Sequence, residues 1–164
     1  MALTVTEKEL VAVGASIAAG CKPCTDYHLR EVRKVQASDG EIRKAIADAV
    51  RIRREATAIM ESHGLEDRGA GSETAGAGSS QETTRIEELV CVAAAFAVNC
   101  TASLDRHLKA SQRVGIAEEE LGEVARLSAF IKKMAASHVE KLAALAEPAQ
   151  RAQRPEGPSA GCPG

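Results

Sequence analysis

Cys21-Lys22-Pro23-Cys24-Thr25-Asp26-Tyr27-His28-Leu29 and Cys100-Thr101-Ala102-Ser103-Leu104-Asp105-Arg106-His107-Leu108 are one pattern written twice. Cysteine, aspartate, histidine and leucine recur at a constant offset of 79 residues, with no gap. Working outward, Glu9-Leu10-Val11 returns as Glu88-Leu89-Val90, Val35 as Val114 and Glu41 as Glu120. A shared offset held over that distance marks a duplicated unit of roughly 60 residues.

Each copy reads as three helices. The first carries Leu10, Val13, Ile17 and Cys21 on one stripe, matched by Leu89, Val92, Phe96 and Cys100. The second starts near the first cysteine and runs to about Val35 or Val114. The third carries Ile42, Ala45, Ile46, Ala49, Ile52, Ala56 and Ile59, behind Ser38-Asp39-Gly40-Glu41, which has capping-box spacing. In copy two it continues through Leu121, Val124, Ala125, Ser128, Ile131 and Ala135 to about Leu145. Neither copy alone buries much surface, so the expected fold is all-α, a bundle of two pseudo-symmetric three-helix repeats. The expected organisation is repeat one over 1–65, a flexible Gly/Ser-rich linker over 66–83, repeat two over 84–147 and a disordered tail over 148–164.

Of 164 residues, 45% are hydrophobic and 27% charged, which is globular, while 2% are aromatic, so the core must be built from Ala, Leu, Ile and Val. The net charge of −2 gives no basic face for nucleic acid. No apolar run approaches the roughly 20 residues that span a bilayer, so no membrane role is expected. The N-terminus lacks a basic region and a cleavage site, so a cytoplasmic chain is expected. In a reducing compartment a close cysteine pair is more often catalytic or metal-binding than a staple.

With a helix starting near Cys21, the spacings Cys21–Cys24 and Cys24–His28 put three side chains on one face. The two sulfurs can close a disulfide. Cys24 is within reach of an imidazole, and the free N–H groups of the first turn lower a thiol's pKa. Pro23 suits that turn. Glu9 lies three turns back on the first helix, and sequence alone does not set it beside His28.

Glu9, Cys21, Cys24 and His28 in this spacing resemble the signature of the alkylhydroperoxidase D-like (AhpD-like) branch of the carboxymuconolactone decarboxylase family. The resemblance covers about residues 5–62 and, more weakly, 84–145. It implies an all-helical fold, homo-oligomers, and a thiol-dependent peroxidase or disulfide oxidoreductase without a tightly bound cofactor. Some members are re-reduced by a lipoyl-bearing protein or another dithiol. Carried over by position, Cys24 attacks the hydroperoxide, Cys21 is the resolving thiol that closes the disulfide and exchanges with the reductant, and His28 with Glu9 forms a proton relay. Copy two departs from the pattern at Ser103, which can form neither sulfenic acid nor disulfide, so one active site per chain is expected.

Blander readings stand beside these. Cys21, Cys24 and His28 also have the chemistry of a non-catalytic metal-binding or redox-sensing module. The decarboxylase or lactone-acting branch of the family is a further reading, disfavoured by the retained cysteine pair. Glu9 completes a capping-box pattern with Thr6, as Glu87 does with Thr84. Cys91 reads as a small core residue and Cys162 as an adventitious tail thiol. His63 and His138 have no partner pattern and are expected in solvent, and Arg51, Arg53, Arg54 and Glu55 read as the wet face of the third helix.

Overall fold

A computed structural model describes residues 2–66 and 83–152, with only the helical backbone at 66 and 145–152. Among these residues there are six helices and no strand: α1 (Val5–Ala18), α2 (Lys22–Lys34), α3 (Asp39–Glu66), α4 (Arg85–Ala97), α5 (Thr101–Arg113) and α6 (Glu118–Ala152). Most of the expected linker, the tail beyond 152 and Cys162 lie outside them. The tail boundary at 148 falls inside α6, which continues to Ala152.

α1 and α4 are the central pair. Leu10 to Ser16 are buried without a break, as are Glu88 to Ala95. Small side chains let these helices approach closely, and a Cβ on Gly14 would sit 2.8 Å from Val90 Cγ1. One core joins Val11, Ala12 and Ala15 to Leu89, Cys91 and Val92, with Ala49 and Ile52 of α3 and Val124 and Ile131 of α6. A second gathers Leu10, Val13, Val32, Ile42, Ala45 and Val90. Each large aliphatic side chain so buried contributes about 1.5–3 kcal/mol.

The packing is two-fold. α2 lies on α1 as α5 lies on α4, and α3 lies on α1 as α6 lies on α4. The third helices also cross over. α6 packs on α1 and α2 of the first repeat, and α3 packs on α4 and α5 of the second.

Four turns join the helices within the repeats, and all share one device. At the end of α1, Gly20 N–H bonds to Ile17 C=O at 3.0 Å and Cys21 N–H to Ser16 C=O at 3.1 Å. That is a Schellman closure, with Gly20 left-handed at φ 71°. Asn99, 79 residues on, does the same at φ 60°, and Gln36 and Gly115 form a second equivalent pair at 62° and 75°. The turn ends one helix and delivers Cys21 or Cys100 as the N-cap of the next, both at ψ 99°.

The capping of α1 differs from the sequence expectation. Thr4, extended at φ −64° and ψ 160°, is the N-cap, and it closes a box with Glu7. Thr6 is already inside the first turn, and its hydroxyl donates to Val35 C=O at 3.2 Å. Glu9 is therefore free of capping. The Ser38–Glu41 box forms as read, and Thr84 caps α4 by accepting Glu87 N–H at 3.3 Å.

Candidate active site

Cys21 and Cys24 form a disulfide across the first turn of α2, with Cα atoms 5.3 Å apart. Both are buried, at 6% and 8% exposure. Cys21 is the N-cap, and its sulfur accepts Cys24 N–H at 3.3 Å. Pro23 in the first turn has no N–H to leave unsatisfied.

One turn further, His28 Nδ1 lies 3.0 Å from Glu9 Oε2. α1 and α2 thus meet through the two residues whose proximity the sequence left open. The pair is partly exposed, and Tyr27 stands edge-on to the His28 ring at 5.0 Å.

The imidazole in contact with the sulfurs is not His28 but His138. Its Nδ1 lies 3.3 Å from Cys21 Sγ and 3.7 Å from Cys24 Sγ. This corrects the expectation that His138 is solvated, and it corrects the candidate ligand set. Among the described residues, the cysteine and histidine atoms that gather within 4.8 Å of one another belong to Cys21, Cys24 and His138. The physical reason is the crossover of α6, which brings a helix of repeat two across α1 and α2 of repeat one. A signal was present in the sequence. Subtracting the repeat offset from 138 gives 59, and Ile59 is the last member of the apolar stripe on α3. His138 is a polar residue at a position the repeat assigns to the core-facing stripe.

The second repeat keeps half of this arrangement. His107 Nδ1 meets Glu88 Oε2 at 2.7 Å, copying Glu9–His28, but this pair is fully enclosed, with side-chain exposures of 9% and 1%. Burial raises the Glu88 carboxyl, and hydrogen bonds from His107 and Thr83 outweigh that to hold it below the usual carboxylate range. Cys100 donates to Ser103 Oγ at 3.3 Å where the first repeat has its disulfide. Ile59 and Cys100 line a groove of about 710 Å³ there, with Met60 and Asn99.

Cys91 is fully buried, and burial pushes its thiol up to about 12. Arg51 and Arg53 are not simply a wet face. Arg51 reaches Cys91 Sγ at 3.1 Å, and Arg53 donates to Ala18 C=O at 2.9 Å, satisfying the end of α1. No helix among the described residues is long and apolar enough to cross a membrane.

The profile of the carboxymuconolactone decarboxylase family matches this chain in two segments, residues 2–59 and 76–147. The two matches fall on the two repeats. No curated protein and no solved structure gives a match.

Proposed function

This chain belongs to the carboxymuconolactone decarboxylase family, and within it we propose a thiol-dependent peroxidase or disulfide oxidoreductase whose working pair is Cys21 and Cys24. Members of the family are enzymes, decarboxylases or peroxidase-like. The observation that carries the peroxidase-like reading is the Cys21–Cys24 disulfide at the start of α2, with an imidazole against its sulfurs. A decarboxylase has no use for such a pair.

The cycle begins with Cys24 as thiolate. It attacks the terminal oxygen of a hydroperoxide, the O–O bond breaks, and the alcohol leaves after taking one proton. Cys24 is now a sulfenic acid. The Cys21 thiolate attacks that sulfur, water leaves, and the disulfide forms. A dithiol, such as a lipoyl group on a partner protein, then returns two electrons and two protons. The Glu9–His28 pair, 3.0 Å apart and one turn from Cys24, is the proton relay. The sulfurs are almost fully buried, so the reductant must reach the mouth of a narrow site or wait for local opening. We propose further that the protein acts in the cytoplasm as a homo-oligomer.

The test is a thiol count before and after one equivalent of hydroperoxide on reduced protein. Two thiols should disappear, and mapping should locate them at Cys21 and Cys24. Cys24→Ser should abolish turnover with a dithiol reductant. Unchanged turnover in that variant would sink the assignment.

A further inference from the structure

The approach of His138 to both sulfurs is more specific than a proton relay needs. Its Nδ1 stands at 3.3 Å from one sulfur and 3.7 Å from the other, so a single nitrogen is shared between two soft donors. Tetrahedral zinc holds sulfur at about 2.3 Å and imidazole nitrogen at about 2.0 Å, which sets S···N separations of about 3.5 Å. With the disulfide closed the nitrogen already stands close to that separation from each sulfur, and reduction frees the sulfurs to part to the about 3.8 Å that two zinc-bound thiolates take. The cysteines come from a turn fixed by a Schellman closure and the histidine from a helix packed against it, so the fold brings the three donors together.

We propose that the reduced chain binds one zinc ion through Cys21, Cys24 and His138, and that closing the Cys21–Cys24 disulfide abolishes the site. Three protein ligands leave a fourth position open for water or an external thiolate. Capture by the dithiol form releases two protons as the thiols become thiolates. A hydroperoxide that takes two electrons from the bound thiolates, with two protons from solvent, returns the disulfide, an alcohol, water and the free ion. That release step alone rests on the peroxidase reading; binding to the reduced pair does not.

The ligand set differs from the one suggested by sequence spacing. His28 is one helical turn from Cys24, but the donor atoms that lie within 4.8 Å of one another belong to Cys21, Cys24 and His138. The site also requires both repeats, because the cysteines come from the α1–α2 turn and the histidine from α6. The equivalent place in repeat two has Cys100, Ser103 and Ile59, a single soft ligand. The stoichiometry is therefore one ion per chain, not two.

The experiment uses the full chain, stripped of metal and held reduced by a phosphine. Zinc is titrated in competition with a chromophoric chelator, and cobalt(II) serves as a spectroscopic probe. One ion per chain is expected, with thiolate-to-cobalt charge transfer and the strong visible bands of tetrahedral cobalt. The oxidised chain should take none. His138→Ala should weaken binding about 100-fold or more, the upper end of what losing even an outer-shell partner costs. His138→Cys should restore it with a third charge-transfer contribution, which guards against misreading a folding defect. His28→Gln should keep one ion. No stoichiometric ion on the reduced chain, or equal affinity in wild type and His138→Ala, would overturn the proposal. A chain that takes the ion but keeps both thiols under hydroperoxide fails the peroxidase reading alone. One that forms the disulfide but takes no ion fails this one alone.

Discussion

A sulfur at a helix N-cap and a sulfur one turn inside the helix have different surroundings. Cys21 Sγ receives a backbone N–H and the nearer approach of His138. Among the described residues, the two cysteines outside the pair are sorted by burial. Cys91 is fully enclosed with its thiol pushed up to about 12, whereas Cys100 is half-buried at an N-cap. Alkylation of the oxidised, folded protein at about pH 8 should therefore modify Cys100 and spare Cys91, since the thiolate is the reactive form. Site-resolved mass spectrometry checks this, and labelling of Cys91 at the rate of Cys100 would contradict it. At this scale the sequence was a partial guide. Glu9, Cys21, Cys24 and His28 stood out through spacing and repetition. His138 did not, because its importance lies in which helix it crosses, and a lone histidine carries no spacing. Only comparison with Ile59 through the repeat offset exposes it.

Elements begin and end where local chemistry directs, and most of those ends were readable. Ser38–Glu41 and Thr84–Glu87 cap as their spacing predicts, and Pro23 sits in the first turn of α2. The Thr6–Glu9 reading failed because two threonines compete within one stretch, and only the extended Thr4 has the backbone a cap requires. The start of α6 shows how a cap becomes a tertiary tie. Ala117 has no hydroxyl, and Glu120 accepts its N–H at 2.9 Å while holding Arg85 of α4 through two further bonds, at 2.8 and 3.1 Å. Arg85 also donates to Glu7 of α1 at 2.8 Å. The Arg85 bonds, with the Ala117 N–H, pull the Glu120 carboxyl down to about 2, against about 4.3 in an unfolded chain. A depressed carboxyl stabilises the fold above its unfolded value and loses that stabilisation as pH falls toward the folded one. Glu120→Gln should therefore lower the melting temperature at pH 7, and the gap to wild type should narrow from about pH 5 and nearly close by about pH 2. A gap independent of pH would show that the charge is not what ties α6 to α4. Arg85→Ala should cost about 1–3 kcal/mol, between the limits for exposed and buried pairs.

The duplication makes one molecule out of two units that each lack a partner, and the seam between them is α1 against α4. The offset of 79 residues makes the two-fold architecture legible in the sequence alone. What it did not reveal is that each third helix covers the other repeat's second helix, because periodicity gives the buried face of a helix but not its neighbour. The seam is tight at Gly14. A Cβ there would lie 2.8 Å from Val90 Cγ1, and Val90 is 1% exposed and stiff about χ1. Gly14→Ala should thus act against propensity and destabilise by about 1–3 kcal/mol, the cost of overpacking, or about 3–10 °C for a domain of this size. Gly122 gives the opposite case on α6, where an added Cβ meets only the far end of Arg126, at 3.4 Å. Gly122→Ala should gain about 0.5–1 kcal/mol from helix propensity alone. Opposite shifts in thermal unfolding, read by circular dichroism on both variants, would establish that α1–α4 contact and not helix strength limits the fold. Because α1 ends in the turn that delivers Cys21, strain at Gly14 should also speed reduction of the Cys21–Cys24 disulfide by a dithiol, while Gly122→Ala leaves that rate unchanged. Equal reduction rates in both variants would mean that the turn holds the disulfide independently of the seam.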